Sequence, residues 1–539
     1  MRPFLTLHDP ATARGYYDNG LWHGETFYHL MARHAAMRPD DHALRDGRLR
    51  LDWRALKTRV DAFADDLRNQ DIVAGDRISL WMSNRIEAVI AFLGCSREGV
   101  ACNPSLHRSY TCGEIIELLQ ELGVKALVTE PGWGADRASK DFDAMLKDVG
   151  SLTKLYTPDE FPTETIAAEP EPHANPDSIA YLAFTSGTTG RPKCVMHSSN
   201  TLLANARDLA RDWKLDLNSV ILSLSPLSHH IAWVAMAQWL VCGGELVTDD
   251  PPKDVSRLDW IVETGATYVM GVPTHAMDIL AEQKKRGMAR MGNVRTFYMA
   301  GSPIPEVVAK AFVDQGIAPQ NIYGMTECSS HQYTHPDDPP EIWVSTCGRG
   351  GPAYSVKIWD VENPDRELPQ GETGEIGGKG AAMMLGYYGN QAATEKTFNR
   401  HGYLMSGDLG SFDEHGNLRI EGRAKDLIIR GGHNIHPSRI EALALTHPTV
   451  EKAAAFAVPD ERLGERVCLA IIGDIAAAEM LAHLAAEELS KYDMPEWFLS
   501  VESLPLTASG KILKRELTEM VKRGELAPEQ VRYTAPKAS

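Results

Sequence analysis

Positive charge is scarce in this chain: 55 Lys and Arg stand against 73 Asp and Glu, a formal net charge of -18. So acidic a protein does not bind nucleic acid through bulk charge, and any anionic ligand must be met by local basic groups such as Arg191, Lys193 and Lys511. No Cys-x-x-Cys pair occurs among the eight cysteines, at positions 95, 102, 112, 194, 242, 328, 347 and 468. Zinc and redox motifs are therefore not supported, and most of these cysteines are expected to be small buried hydrophobes. No apolar run reaches the roughly 18 residues that would read as a membrane-spanning helix. The opening MRPFLTLHDPATARGYY has no apolar core of signal-peptide length. Internal repeats are lacking too. The expectation is a reduced, cytoplasmic, soluble protein with no membrane span and no nucleic-acid partner. Its 539 residues suit more than one domain.

What is present begins with YLAFTSGTTGRPK, Tyr181 to Lys193. An apolar strand-like run ends abruptly in small hydroxyl residues between glycines, and cations follow. Such a backbone bends closely around an anion, its N–H and O–H groups donate to oxygens, and Arg or Lys supplies countercharge. A polyphosphate is the natural ligand. The common P-loop needs Gly-x-x-x-x-Gly-Lys-Ser/Thr. Here Gly187 and Gly190 are too close and Pro192 separates Arg191 from Lys193, so a standard kinase or GTPase reading fails on spacing.

Helical and strand patterns alternate along the first two thirds. Helices are expected over Thr26–Met37, Trp53–Asn69 and Arg85–Cys95, and strands over Asp76–Met82, Lys125–Thr129, Val220–Leu224, Thr267–Met270, Arg295–Met299 and Asn321–Tyr323. That alternation implies parallel sheets. Several strands end in polar groups: Ser228-His229-His230, Gly301-Ser302-Pro303 and Gly324-Met325-Thr326-Glu327. Ligands of open α/β sheets sit beyond the carboxyl ends of strands, so these ends and the glycine-rich loop would form one site. From Pro352 glycines become frequent, which suggests a small antiparallel or barrel-like part. Beyond a boundary near Lys425 lies a self-contained α/β stretch, in which Pro437–Glu441 reads as a capping box opening a helix.

Four further runs carry chemistry. Asn321–Cys328 offers an aromatic ring, Tyr323, that could stack on a base, and a carboxylate, Glu327, that could hold a metal. Tyr403-Leu-Met-Ser-Gly-Asp408 places a carboxylate after a tight turn, suited to accepting a pair of ribose hydroxyls. Gly422-Arg423-Ala-Lys425-Asp426 falls at the boundary, and Leu504–Arg515 presents Lys511 on a Ser-Gly turn. Singly, each is better explained as a turn residue or a solvated charge. Their joint occurrence in this order is what carries weight.

With Thr-Ser-Gly-Thr-Thr-Gly-x-Pro-Lys, Tyr-Gly-x-Thr-Glu, Ser-Gly-Asp, Gly-Arg-x-Lys-Asp and the terminal Ser-Gly-Lys, the chain resembles the adenylate-forming superfamily of acyl-CoA synthetases, luciferases and adenylation domains. It looks most like bacterial ligases for short- to medium-chain or alicyclic acids. The resemblance implies a large N-terminal domain (1–424) of two stacked α/β sheet subdomains with a small β-barrel-like part. A small mobile α+β C-terminal domain (425–539) follows. It implies ATP, Mg²⁺ and coenzyme A as cofactors, a carboxylic acid substrate, and a thioester formed through an acyl-adenylate. Loading of a carrier protein instead of coenzyme A is the alternative. By the same resemblance Thr185, Ser186, Gly187, Thr188, Thr189 and Lys193 form the phosphate loop, and Gly301, Ser302 and Pro303 line the adenine and acyl-adenylate site. Tyr323, beside Gly324, stacks on adenine. Thr326 contacts the α-phosphate, Glu327 holds Mg²⁺, and Asp408, with Arg423 close by, holds the ribose. Lys511 bridges carboxylate and phosphate during adenylation. Lys425 is the hinge, and Gly432 lies on the coenzyme A path.

Of the pair His229 and His230, His230 is expected against the acyl carboxylate, while Trp233 and Met236 are expected in the core. In the adenylation domains that the chain resembles, those for α-amino acids place an Asp in this region to pair with the ammonium; none lies within Ser228 to Gln238, which by that resemblance argues against amino-acid substrates. Cys194 replaces the family's usual Gly after the loop lysine, and its side chain is expected in strand packing. The sequence leaves the assembly open, a homodimer being one expectation.

Overall fold

The computed structural model describes residues 10–164, 170–185, 192–507 and 511–533. Ser186, Gly187, Thr188 and Thr189 of the glycine-rich loop lie outside the described residues, while Thr185 and Lys193 on its two sides lie within them.

Two large sheets form the body. The first runs in the order Ser329–Tyr333, Ala318–Met325, Thr296–Met299, Tyr268–Gly271, Val220–Ser223, Glu245–Thr248, His42–Arg45, Arg50–Asp52. Its six inner strands are parallel and each outer strand closes antiparallel. The second has the order Gly386–Tyr387, Lys193–Ser198, Ile179–Thr185, Ala101–Asn103, Arg77–Trp81, Ala126–Thr129, Lys154–Tyr156. Strands buried on both faces read as continuous apolar runs rather than alternating ones, which is why Val220–Ser223 and Ala126–Thr129 were legible. The strand expected at Asn321–Tyr323 is longer, Ala318–Met325. Pro319 and Gln320 hide its start, yet the strand pairs with Thr296–Met299 from Ala318 onward.

The main core lies between these sheets and is filled by helices. Phe27–Met37, Trp53–Asn69, Ile86–Glu98, Ser199–Asp212 and His230–Cys242 all contribute side chains to it, as do strands of both sheets. His230–Cys242 is buried on every side except at Val241. That fits a helix that is apolar all round. Trp233 and Met236 are fully buried there, with the Trp233 indole donating to the Leu227 carbonyl at 2.6 Å. Both belong to the core, as composition suggested.

A four-stranded antiparallel sheet follows: Tyr354–Trp359, Gly374–Gly380, Leu404–Phe412 and Leu418–Arg423. Ile358, Ile376 and Leu418 pack with Tyr323 of the first sheet, which ties this part to the strand end carrying Thr326 and Glu327. After Arg423 the chain enters a separate α+β unit, whose sheet is built around the long pair Val450–Asp460 and Gly464–Gly473. This unit has two cores of its own, one on each face of that sheet. The helix Pro437–Ala444 does form, but without a capping box: its N-cap residue is His436 and no side chain caps it. Ser438 instead donates to the Glu421 carbonyl at 2.8 Å, and Glu441 accepts from the Ala455 amide and pairs with Lys514. Tertiary partners have claimed both capping groups. Lys452 bridges to Asp278 at 2.9 Å, joining the C-terminal unit to the body. Among the described residues no helix is long and apolar enough to cross a membrane.

Candidate active site

The parallel strands of the first sheet end side by side, and the segments leaving them meet: Leu224 to His230, Gly271 to Pro273, Ala300 to Pro303, and Gly324 to Glu327. Gly301 has φ +93°, a conformation that favours glycine. A Cβ there would stand 3.2 Å from Cε of Lys511, 3.5 Å from Val272 and 3.7 Å from Ile231. The C-terminal lysine is thus seated on the strand ends of the body, more than two hundred residues away in sequence. Gly301 and Ser302 are half-buried beside it, whereas Pro303 is exposed. Local bonds fix the lysine's backbone: the Thr507 amide donates to the Lys511 carbonyl at 2.7 Å, and the Lys511 amide to the Thr507 hydroxyl at 3.0 Å. Burial pushes the ammonium pKa down to about 8. Arg423 pushes the same way, while Asp408 and Glu327 pull it back up.

Asp408 lies within the strand Leu404–Phe412 rather than after a tight turn, next to Gly407 at φ +75°, whose amide donates to Glu375 at 2.9 Å. Its carboxylate accepts from the Tyr323 hydroxyl at 2.9 Å and from Arg423 Nε at 2.8 Å. Arg423 is its register partner on the neighbouring strand. An ionised carboxylate has about four acceptor sites, so capacity remains for hydroxyl donors. The guanidinium pKa is raised, chiefly by the Asp408 charge. Gly324, in the strand Ala318–Met325, makes the hairpin that turns at Thr326–Cys328 possible: a Cβ would fall 1.9 Å from the Ser329 carbonyl oxygen. His197 Nε2 holds the Thr326 carbonyl at 2.7 Å.

Glu327 is buried, and that burial raises its carboxyl pKa. The Tyr387 hydroxyl donates to Oε1 at 2.8 Å. Lys193 is held 4.5 Å above the ring of the same tyrosine. No cluster of three or more His, Cys, Asp or Glu able to hold a metal occurs among the described residues. A lone carboxylate still fits Mg²⁺, which keeps several waters and is usually bound through one or two carboxylates plus substrate phosphates.

The two histidines are held differently. His230 is engaged at both ring nitrogens, Nδ1 with the Tyr181 hydroxyl at 3.2 Å and Nε2 with the Ser329 hydroxyl at 3.0 Å. Burial pushes its pKa down to about 3. His229 has a buried Nδ1 with no hydrogen-bond partner and lies near Lys511, whose charge adds to burial in lowering its pKa. The geometry therefore favours His229 over His230 as the imidazole presented to a ligand. His230→Ala is expected to strand the Tyr181 and Ser329 hydroxyls and cost about 1–3 kcal/mol of stability. His229→Ala should leave the thermal midpoint unchanged and lower kcat/KM for the acid. Thermal unfolding and steady-state kinetics on both variants check this.

Cys194 is buried among Leu182, Phe184, Met196 and Leu385, so its side chain belongs to packing. Lys425 is exposed in the connection between Leu418–Arg423 and Ile428–Arg430. Gly432 sits at φ +86° on an exposed turn, with open space where a Cβ would be. The structure thus gathers Gly301, Ser302, Tyr323, Thr326, Glu327, Asp408, Arg423, Lys193 and Lys511, but not Gly432 or Lys425. Tyr387 is the residue that sequence reading missed. Its only local signal was an aromatic pair, Tyr387-Tyr388, in a glycine-rich stretch.

A family model described as AMP-binding enzyme matches residues 31–388, and one described as AMP-binding enzyme C-terminal domain matches residues 439–511. The medium-chain fatty-acid–CoA ligase of Escherichia coli K12 is 28% identical, with 97% of this chain and 95% of that protein aligned. The 2,3-dihydroxybenzoate-AMP ligase of Bacillus subtilis is 29% identical over 96% of this chain and 97% of its own length. Among solved structures, ATP-bound MatB from Rhodopseudomonas palustris superposes with a TM-score of 0.81 at 27% identity, covering 92% of this chain and 99% of that one.

Proposed function

Because the chain belongs to the AMP-binding enzyme family, we propose that it is an ATP-dependent carboxylate:CoA ligase acting on a short- or medium-chain, alicyclic or aromatic acid. In the first step a carboxylate oxygen of the acid attacks the α-phosphorus of ATP and the bond to pyrophosphate breaks. In the second, the thiolate sulfur of coenzyme A attacks the acyl carbon, and AMP leaves with the electron pair of the C–O bond.

The observation that carries this reading is Lys511 seated against Gly301, with Asp408 and Glu327 near enough to act on its charge. Two anions must approach each other in the first step, and a positioned ammonium offsets their repulsion as charge develops. Lys511 would donate to carboxylate and phosphate oxygens, and Lys193 with Thr185 would serve the departing phosphates. Asp408 would accept the ribose hydroxyls, the Tyr323 ring would lie on adenine beside Gly301 and Ser302, and Thr326 would meet the α-phosphate. His229 would meet the acyl carboxylate. Glu327 would hold Mg²⁺, whose charge neutralises phosphate oxygens when bound.

Residues 1–424 would form the body and 425–539 the domain that turns between the two steps. Lys425, exposed in the connection, is suited to serve as the hinge. Such a turn would withdraw Lys511 and bring the Gly432 turn, where no side chain narrows the passage, toward the thiol path. The likeness to an AMP ligase favours a second reading, in which a carrier-protein thiol replaces coenzyme A.

The test measures AMP and pyrophosphate from ATP with linear, branched, cyclic and aromatic acids. Each is run with coenzyme A and, separately, with a phosphopantetheinyl carrier protein. Coenzyme A-dependent AMP release is the expected result. Release only with the carrier protein selects the second reading, and ADP as product overturns both.

A further inference from the structure

We infer that Tyr387 is a positioning residue that holds Glu327 and Lys193 apart and aims both at Mg-ATP, an inference that rests on the Mg-ATP site of the reading above and not on the ligation step. Three independent observations place it. The Tyr387 hydroxyl donates to Glu327 Oε1 at 2.8 Å, and the Lys193 ammonium sits 4.5 Å over the centre of the same ring. The segment leading to Tyr387 grips the backbone of Glu327 as well, the Met384 amide donating to the Glu327 carbonyl at 2.7 Å.

The ring itself is fixed. Gly386–Tyr387 pairs antiparallel with Lys193–Ser198, the strand that carries the lysine, with Tyr387 opposite Val195. The Tyr387 amide donates to the Thr394 hydroxyl at 2.9 Å. Val195, Cys328, Tyr354, Met383 and Leu404 enclose the side chain, which is 4% exposed.

The chemistry explains why a tyrosine suits this place. A buried carboxylate is costly unless donors meet it. An arginine would meet it but would also cancel the charge that a divalent cation needs. A neutral phenol satisfies one oxygen and leaves the charge in place. The lysine poses the opposite problem, since an ammonium near a carboxylate tends to close onto it. The face of an aromatic ring holds a cation without neutralising it. Among the described residues Lys193 and Glu327 accordingly form no ion pair, the lysine lying over the ring while its charge still reaches the carboxylate. One side chain thus keeps a phosphate-binding cation and a cation-binding anion separate.

The experiment uses the full chain and measures equilibrium binding of ATP by calorimetry across a Mg²⁺ titration, with thermal unfolding alongside. Tyr387→Phe keeps the ring and loses the hydroxyl. It should raise the Mg²⁺ concentration for half-maximal ATP binding about 10-fold, because the carboxylate loses the hydrogen bond that orients it, a loss the size of one bond to a charged group, and leave ATP affinity without Mg²⁺ unchanged. Tyr387→Leu loses both contacts and should also weaken metal-free ATP binding, since Lys193 can then close onto Glu327. In a Glu327→Gln background the Phe substitution should have no further effect on Mg²⁺ dependence. An unchanged Mg²⁺ midpoint in Tyr387→Phe, or a shift that persists fully in the Glu327→Gln background, overturns the inference, whatever the thermal midpoints do. Wild-type protein that binds Mg-ATP yet forms no AMP would overturn the ligase reading instead and leave this one standing.

Discussion

Lys511→Ala is expected to slow acyl-adenylate formation by about 10²–10³-fold, the usual loss when one electrostatic contact to a developing charge is removed. Thioester formation from added acyl-adenylate should be spared. The reason lies in where the lysine is. Its stem rests on Gly301, and the charges of Asp408, Glu327 and Arg423 act on its ammonium. Only in this arrangement can a residue from the C-terminal unit meet a carboxylate and an α-phosphate together. The second half-reaction has no two anions to bring together and so has no need of it. Equal loss in both half-reactions would remove Lys511 from this role.

The same residue dictates a pH dependence. Bridging two anions requires the charged ammonium. Burial lowers the pKa from the ordinary lysine value to about 8. Below that pH the lysine is protonated and adenylation proceeds; above it the proton is lost and the rate should fall, with a midpoint near 8. Pyrophosphate exchange measured from pH 6.5 to pH 10 would trace that limb. In Lys511→Ala the residual rate should be flat over this alkaline range, and a limb that persists in the variant would assign the titration elsewhere.

Asp408→Ala should have the next largest effect, on nucleotide binding. The carboxylate takes the Tyr323 hydroxyl and Arg423 Nε and keeps acceptor capacity for a pair of hydroxyls. Two hydrogen bonds to a charged group, at about 1.5 kcal/mol each, amount to a loss of about 100-fold in ATP affinity. A discriminating measurement compares ATP with 2′-deoxy- and 3′-deoxy-ATP. The wild type should disfavour each deoxy analogue by about 10-fold, and Asp408→Ala should bind all three alike. A variant that still discriminates would show that the ribose is held by other groups.

The fold was legible wherever burial leaves a simple mark. Val220–Ser223, Tyr268–Gly271 and Thr296–Met299 are near-continuous apolar runs because helices cover both faces of their sheet. Ala318–Met325 was read too short because its first residues, including Pro319 and Gln320, carry no such mark, and neighbouring strands decide their state. The capping box at Pro437 failed for a related reason. Local spacing offers Ser438 and Glu441 to the helix, yet Glu421, Ala455 and Lys514 from elsewhere in the chain hold them. His230 was preferred over His229 because neighbours on a helix start cannot be told apart by sequence. The Tyr181 and Ser329 hydroxyls, contributed by two other strands, engage both ring nitrogens of His230, while His229 Nδ1 has no hydrogen-bond partner.

The sequence alone determined the chemical inventory of this protein: the glycine-rich loop from Thr185 to Lys193, the Thr326-Glu327 pair, Asp408, Lys511 and the family that combines them. These were readable because short runs of distinctive residue types mark them, with glycines such as Gly324 and Gly407 dictated within a few positions. Tertiary structure alone decided which of them meet. It put Lys511 on Gly301, paired Asp408 with Tyr323 and Arg423, and placed Tyr387 between Glu327 and Lys193. Contacts across tens to hundreds of residues depend on how sheets and helices bury their apolar faces together, and no local window of sequence contains that information.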